Sequence, residues 1–119
     1  MKIFHGTENA NILKPTVLTL GVFDGLHLGH QRIMQTVVDR AKLSAAVPTA
    51  ITFDPHPRAV LYPASAPPLL QTLDQRLANF EVLGIKQAIV IPFTLDFASQ
   101  PAEVFLENIV RDRLHAREV

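Results

Sequence analysis

Cysteine is absent from the 119 residues, so no disulfide framework holds this fold, and the composition suits a reducing compartment. Net charge is absent as well. Eleven basic and eleven acidic residues cancel, and no Lys/Arg run supplies the footprint that nucleic acid requires. No apolar run approaches the roughly 20 residues needed to cross a bilayer. Met1-Lys2-Ile3-Phe4-His5 also lacks the apolar core of a signal peptide. Nothing resembles a Ser-His-Asp or Cys-His nucleophile with its activating base. Together these absences predict a cytoplasmic protein with a small-molecule site and with neither nucleic acid nor membrane as partner.

What is present fits one globular domain. Apolar residues make up 48 % and charged residues 18 % of the chain, which is enough for a single core and too apolar for disorder. Val17 to Phe23 reads as a strand apolar on both faces, placing it centrally in a parallel sheet, and Lys2 to His5 as a short edge strand. From His30 the pattern turns helical, with Ile33, Met34, Val37, Val38 and Ala41 on one stripe. A strand over Thr49 to Phe53 follows Pro48. Between Asp54 and Gln71 lie five of the nine prolines, no periodicity is visible, and the expectation is a structureless functional connection.

Thr72-Leu73-Asp74-Gln75 matches a capping box. It opens a helix buried through Leu73, Leu77, Phe80 and Leu83, with Gly84 at C′. Lys86 to Ile91 is the next strand, Phe93 to Gln100 a loop, and Pro101 the first position of a helix striped by Phe105, Leu106, Ile109, Val110 and Leu114. Such alternation predicts a parallel sheet with right-handed crossovers and helices on both faces. Ligands of such sheets bind beyond the carboxyl ends of the strands. A further strand is expected to begin at Val119. Without it the central strand keeps an unpaired edge, which invites self-association.

The stretch Gly21-Val22-Phe23-Asp24-Gly25-Leu26-His27-Leu28-Gly29-His30 spans the first strand-to-helix junction. A helix start offers unpaired N–H groups and a positive dipole end, which suits an anion. Gly25 permits the turn and Gly29 close backbone approach. His27 and His30, three residues apart, can each donate an N–H to a phosphate oxygen. Two alternatives are solvated histidines at an ordinary helix start and a metal pair. Helical zinc ligands favour i, i+4 spacing, so no metal site is assigned.

This stretch resembles the H-x-G-H signature of the nucleotidyltransferases. Its flanking Gly-Val-Phe-Asp-Gly-Leu narrows the resemblance to the FMN adenylyltransferase module of the prokaryotic bifunctional riboflavin kinase/FMN adenylyltransferases. Ile51-Thr52-Phe53-Asp54-Pro55-His56-Pro57-Arg58 resembles that family's next motif. The resemblance implies a Rossmann-like α/β fold and transfer of AMP from ATP, brought with Mg²⁺, to FMN, giving FAD and pyrophosphate.

It further implies that His27 and His30 act on the ATP phosphates. Gly21, Phe23, Asp24, Gly25 and Gly29 complete that side of the site, although Asp24 reads equally well as a turn cap. Asp54, Pro55, His56, Pro57 and Arg58 form the flavin side, with Arg58 on the FMN phosphate. Asp96 and Phe97 resemble an aromatic-acidic loop. The family's later Ser/Thr-rich nucleotide motif and its riboflavin kinase module are expected outside these 119 residues. Competing readings are another H-x-G-H transferase, such as a cytidylyltransferase, and a catalytically incomplete nucleotide- and flavin-binding module.

Overall fold

The computed structural model describes residues 1–6, 15–23, 25, 28–65, 71–105, 107 and 116–118. Five parallel strands form one sheet in the order β1-β4-β3-β2-β5. They are β1 (Lys2–His5), β2 (Thr16–Leu20), β3 (Val47–Asp54), β4 (Gln87–Pro92) and β5 (Ala116–Glu118). Alternation along the strands builds two cores from one sheet. Val17, Ala50, Ala88 and Val90 face one side, and Leu18, Ile51, Ile89 and Ile91 face the other. This is the α/β architecture that the continuous apolar runs predict.

The first face is covered by α1 (Leu28–Ser44) and α3 (Leu73–Val82). Met34, Val37, Val38 and Ala41 of α1 meet Leu77 and Phe80 of α3 over the sheet. Ile33 departs from the expected stripe and is 45 % exposed. A step of about 100° per residue leaves it at the margin of the face centred on Met34, Val38 and Ala41.

The capping box of α3 is formed. Gln75 N–H donates to Thr72 Oγ1 at 3.1 Å and Thr72 N–H to Gln75 Oε1 at 2.9 Å. Its end is a Schellman motif, with Ile85 N–H donating to Phe80 O at 3.0 Å and Gly84 N–H to Glu81 O at 3.1 Å. Gly84 has φ +99°, and a Cβ there would lie 3.3 Å from Val38.

The second face is covered by Phe97 of α4 (Leu95–Ala98) and by Phe105, which follows α5 (Ala102–Val104). The Phe93–Gln100 stretch, expected as a loop, therefore contains a helical turn. Thr94 Oγ1 caps it by accepting Phe97 N–H at 3.1 Å. The Asp54–Gln71 connection is likewise not structureless. It holds α2 (Pro57–Leu61) and a 3-10 turn at Pro63–Ser65. Each element is too short to show a period in sequence. Of the C-terminal helical stripe, Leu106, Ile109, Val110 and Leu114 lie outside the described residues.

The strand expected through Phe23 ends at Leu20, and Gly21 N–H adds one last bond to Ile51 O at 3.0 Å. The strand expected from Val119 begins earlier, at Ala116. It pairs with Thr16 and Val17, so β2 is internal along these residues. No helix among the described residues is long and apolar enough to cross a membrane.

Candidate functional site

Both motifs leave the sheet at its carboxyl edge, from adjacent strands whose register sets Leu20 opposite Ile51. Beyond Leu20 the chain turns sharply. Phe23 adopts φ +56°, a left-handed conformation that is an outlier for a bulky residue. This turn folds the ring back into the core, where it is 5 % exposed. The ring packs edge-on against His30 (centroids 5.4 Å, 87°) and against Phe80 (5.7 Å, 90°). Gly21 makes room for it, since a Cβ there would stand 3.1 Å from Phe23 Cζ. Gly21 and Phe23 thus have a packing role next to the site, one that their spacing does not reveal.

Gly25 N–H donates to Gln71 Oε1 at 3.1 Å, a contact between the junction and the chain before α3 that sequence patterning misses. Helix α1 starts at Leu28, two residues before the predicted start, which puts Gly29 and His30 in its first turn. Gly29 is exposed and a Cβ there would meet nothing within 4 Å, so the backbone is open to an approaching group. His30 is half-buried beneath the Phe23 ring. Asp24, Leu26 and His27 lie outside the described residues.

The second motif begins where β3 ends. Asp54 is exposed, its peptide bond to Pro55 is cis, and its carbonyl accepts Phe93 N–H at 3.2 Å. His56 caps α2 by accepting Arg58 N–H on Nδ1 at 3.0 Å, with Pro57 at the start of the helix. A nitrogen that accepts carries no proton, so the neutral ring bears its hydrogen on Nε2. Arg58 is exposed, and its carbonyl accepts Tyr62 N–H at 2.8 Å.

Next to this loop is a cavity of about 290 Å³ lined chiefly by Leu20, Phe53, Leu61, Phe93, Phe97 and Phe105. Its rings form a continuous set of tilted and edge contacts. Phe53 lies 5.9 Å from Phe93 and 5.8 Å from Phe97, and Phe97 lies 5.5 Å from Phe105. Phe53 and Phe97 belong to the motifs read from sequence. Phe93 and Leu61 join them only through the fold. No three His, Asp or Glu side chains converge as a metal cage among the described residues.

A family model described as FAD synthetase matches residues 9–119. The chain belongs to the FAD synthetase family. It is 32 % identical over 118 residues to the bifunctional riboflavin kinase/FMN adenylyltransferase of Haemophilus influenzae, covering 98 % of this chain and 38 % of that protein. Identity is also 32 % over 119 residues to the putative bifunctional enzyme of Geobacillus thermodenitrificans, of which it covers 63 %. The chain thus spans between about two fifths and two thirds of the length of these relatives. Among solved structures it superposes on a macrolide-efflux protein from Streptococcus pneumoniae with a TM-score of 0.81. That match covers 98 % of this chain and 39 % of the other at 20 % identity, a likeness of fold alone.

Proposed function

We propose that this FAD synthetase-family chain carries FMN adenylyltransferase chemistry, transferring AMP from ATP to FMN to give FAD and pyrophosphate. The observation that supports this best is the aromatic cavity beside the Asp54–Arg58 loop. Its lining is apolar and rich in aromatic rings, which suits a flavin, and it lies at the strand ends from which the H-x-G-H helix start also leaves.

In this reading a phosphate oxygen of FMN attacks the α-phosphorus of ATP. A new O–P bond forms, the bond from the α-phosphorus to the bridging oxygen breaks, and that oxygen leaves on pyrophosphate. A phosphate monoester with a second pKa of about 6 is already largely dianionic at neutral pH, so no general base is required. The chain's task is alignment and stabilisation of charge on the α-phosphoryl oxygens. His27 and His30 donate to the ATP phosphates, and Gly29 lets them approach the backbone. Arg58 pairs with the FMN phosphate. His56 Nε2–H points its donor capacity away from the cap, while Asp54, Pro55 and Pro57 shape the flavin side. Asp24 is assigned to the nucleotide side of the junction. Magnesium enters as part of the ATP substrate.

The substrates are small molecules, and a cytoplasmic setting with neither nucleic acid nor membrane as partner belongs to the same proposal. The test is FAD formation by the full natural chain. FMN with ATP is set against pantetheine phosphate with ATP and glycerol phosphate with CTP. FAD formation alone supports the assignment, whereas turnover of a non-flavin alone refutes it. Flavin and nucleotide binding without turnover would favour a binding-only module.

A further inference from the structure

Arg76 is 1 % exposed, yet it sits in the first turn of α3, between Leu73 and Leu77 of the helix's apolar face. Two effects disfavour a cation there. Burial strips its hydration, and the helix N-terminus carries a positive dipole end. An apolar residue would continue the α3 stripe and avoid both. The guanidinium nevertheless reaches the carboxyl end of β3.

Its Nη1 donates to Thr52 Oγ1 at 2.8 Å and to Phe53 O at 3.0 Å. Thr52 Oγ1 in turn donates to Val22 O at 2.8 Å. Thr52 is fully buried, and its hydroxyl passes the contact from β3 to the segment beyond β2. Phe53 immediately precedes Asp54, and Val22 immediately precedes the left-handed Phe23 that packs on His30. Arg76 thus holds Phe53 directly and Val22 through the Thr52 hydroxyl, one residue within each motif stretch. Arginine's fork can satisfy several acceptors at once in a fixed geometry.

We infer that Arg76 is a positioning residue. Through Thr52 it fixes the exit of the H-x-G-H junction relative to the Asp54–Arg58 loop, so that the phosphate-binding and flavin-binding halves stay aligned. The catalytic consequence rests on the adenylyltransferase reading. The mechanical one does not.

The experiment uses the full natural chain with Thr52→Val, Thr52→Ser, Arg76→Met and the Thr52→Val/Arg76→Met double variant. Thr52→Val keeps shape and strand preference while removing the hydroxyl. Amide exchange without ligands is the first readout. The expected result is faster exchange at Gly25 and Gly29 and also at His56 and Arg58 in Thr52→Val and Arg76→Met, with β4 unchanged and Thr52→Ser close to wild type. Exchange that rises uniformly, or at one motif only, overturns the inference.

The second readout is kcat/KM for FAD formation, expected to fall about tenfold or more in each single variant. The double variant should be no worse than about twofold below the poorer single, because both substitutions remove the Arg76–Thr52 contact that couples the two motifs. Additive losses overturn the inference. If wild type makes no FAD, the functional reading fails while amide exchange still decides the role of Arg76. Should Arg76→Met fail to fold, the Thr52→Val and Thr52→Ser pair decides the exchange result.

Discussion

The Phe23 ring stands perpendicular to the His30 imidazole, with centroids 5.4 Å apart at 87°. The fold reaches this contact by holding Phe23 at φ +56°, a conformation that costs about 1–3 kcal/mol and persists where its surroundings over-determine it. Those surroundings are Phe80 on α3 and the bare backbone of Gly21. The His30 imidazole therefore rests against a ring that the fold itself holds in place.

Gly21→Ala would push a methyl into the Phe23 ring, 3.1 Å from Cζ. The expected loss is about 1–3 kcal/mol of stability, read by urea denaturation, with turnover falling because His30 loses its support. A variant with unchanged stability would show that the ring has room to move.

In the proposed reaction His30 donates to the developing charge, and His30→Ala removes that donor. Turnover is expected to drop roughly a hundredfold or more, with the circular dichroism of the fold preserved. A change confined to KM would assign His30 to ground-state binding instead.

His56→Ala removes the α2 cap and should cost about 0.5–2 kcal/mol, whereas His56→Asn retains a capping oxygen and most of that stability. Comparing the two separates the cap from ligand contact. If flavin affinity falls equally in both while stability differs, the Nε2 side of the ring contacts the ligand.

Glu81 accepts a hydrogen bond from the Met1 ammonium at 2.8 Å. That bond first, and the charge behind it second, hold its carboxyl below the ordinary glutamate value. A lowered folded pKa contributes stability that is present above the unfolded value and lost as pH falls through the folded one. Glu81→Gln should therefore lower the melting temperature slightly at neutral pH and low salt. The difference should vanish in strongly acid buffer or at high salt, as it does for an exposed pair.

Much of this was legible in residue pattern. The two-sided apolarity of Val17 to Phe23 predicts a central parallel strand, and Thr72 with Gln75 predicts both bonds of a capping box. The H-x-G-H and Asp-Pro-His-Pro-Arg stretches are found at one sheet edge, as strand-to-helix exits require. Other features depend on contacts that no local period encodes. Phe23 looks like the end of a strand, and only the packing of Phe80 and His30 turns it left-handed. Arg76 resembles any solvated charge on a helix, yet it is buried because Thr52 and Phe53 offer acceptors from another strand. Leu61 and Phe93, separated in the chain by the whole of α3 and β4, share a cavity only after the sheet forms.

The most direct test of adenylyl transfer follows the α-phosphorus. The full natural chain is incubated with FMN, magnesium and ATP labelled at the α-phosphate or at the γ-phosphate. The expected result is α-label in FAD and γ-label in pyrophosphate, with His30→Ala sharply slower in both. Label from the γ-position in a flavin product, or no flavin labelling while another acceptor is adenylylated, would contradict it.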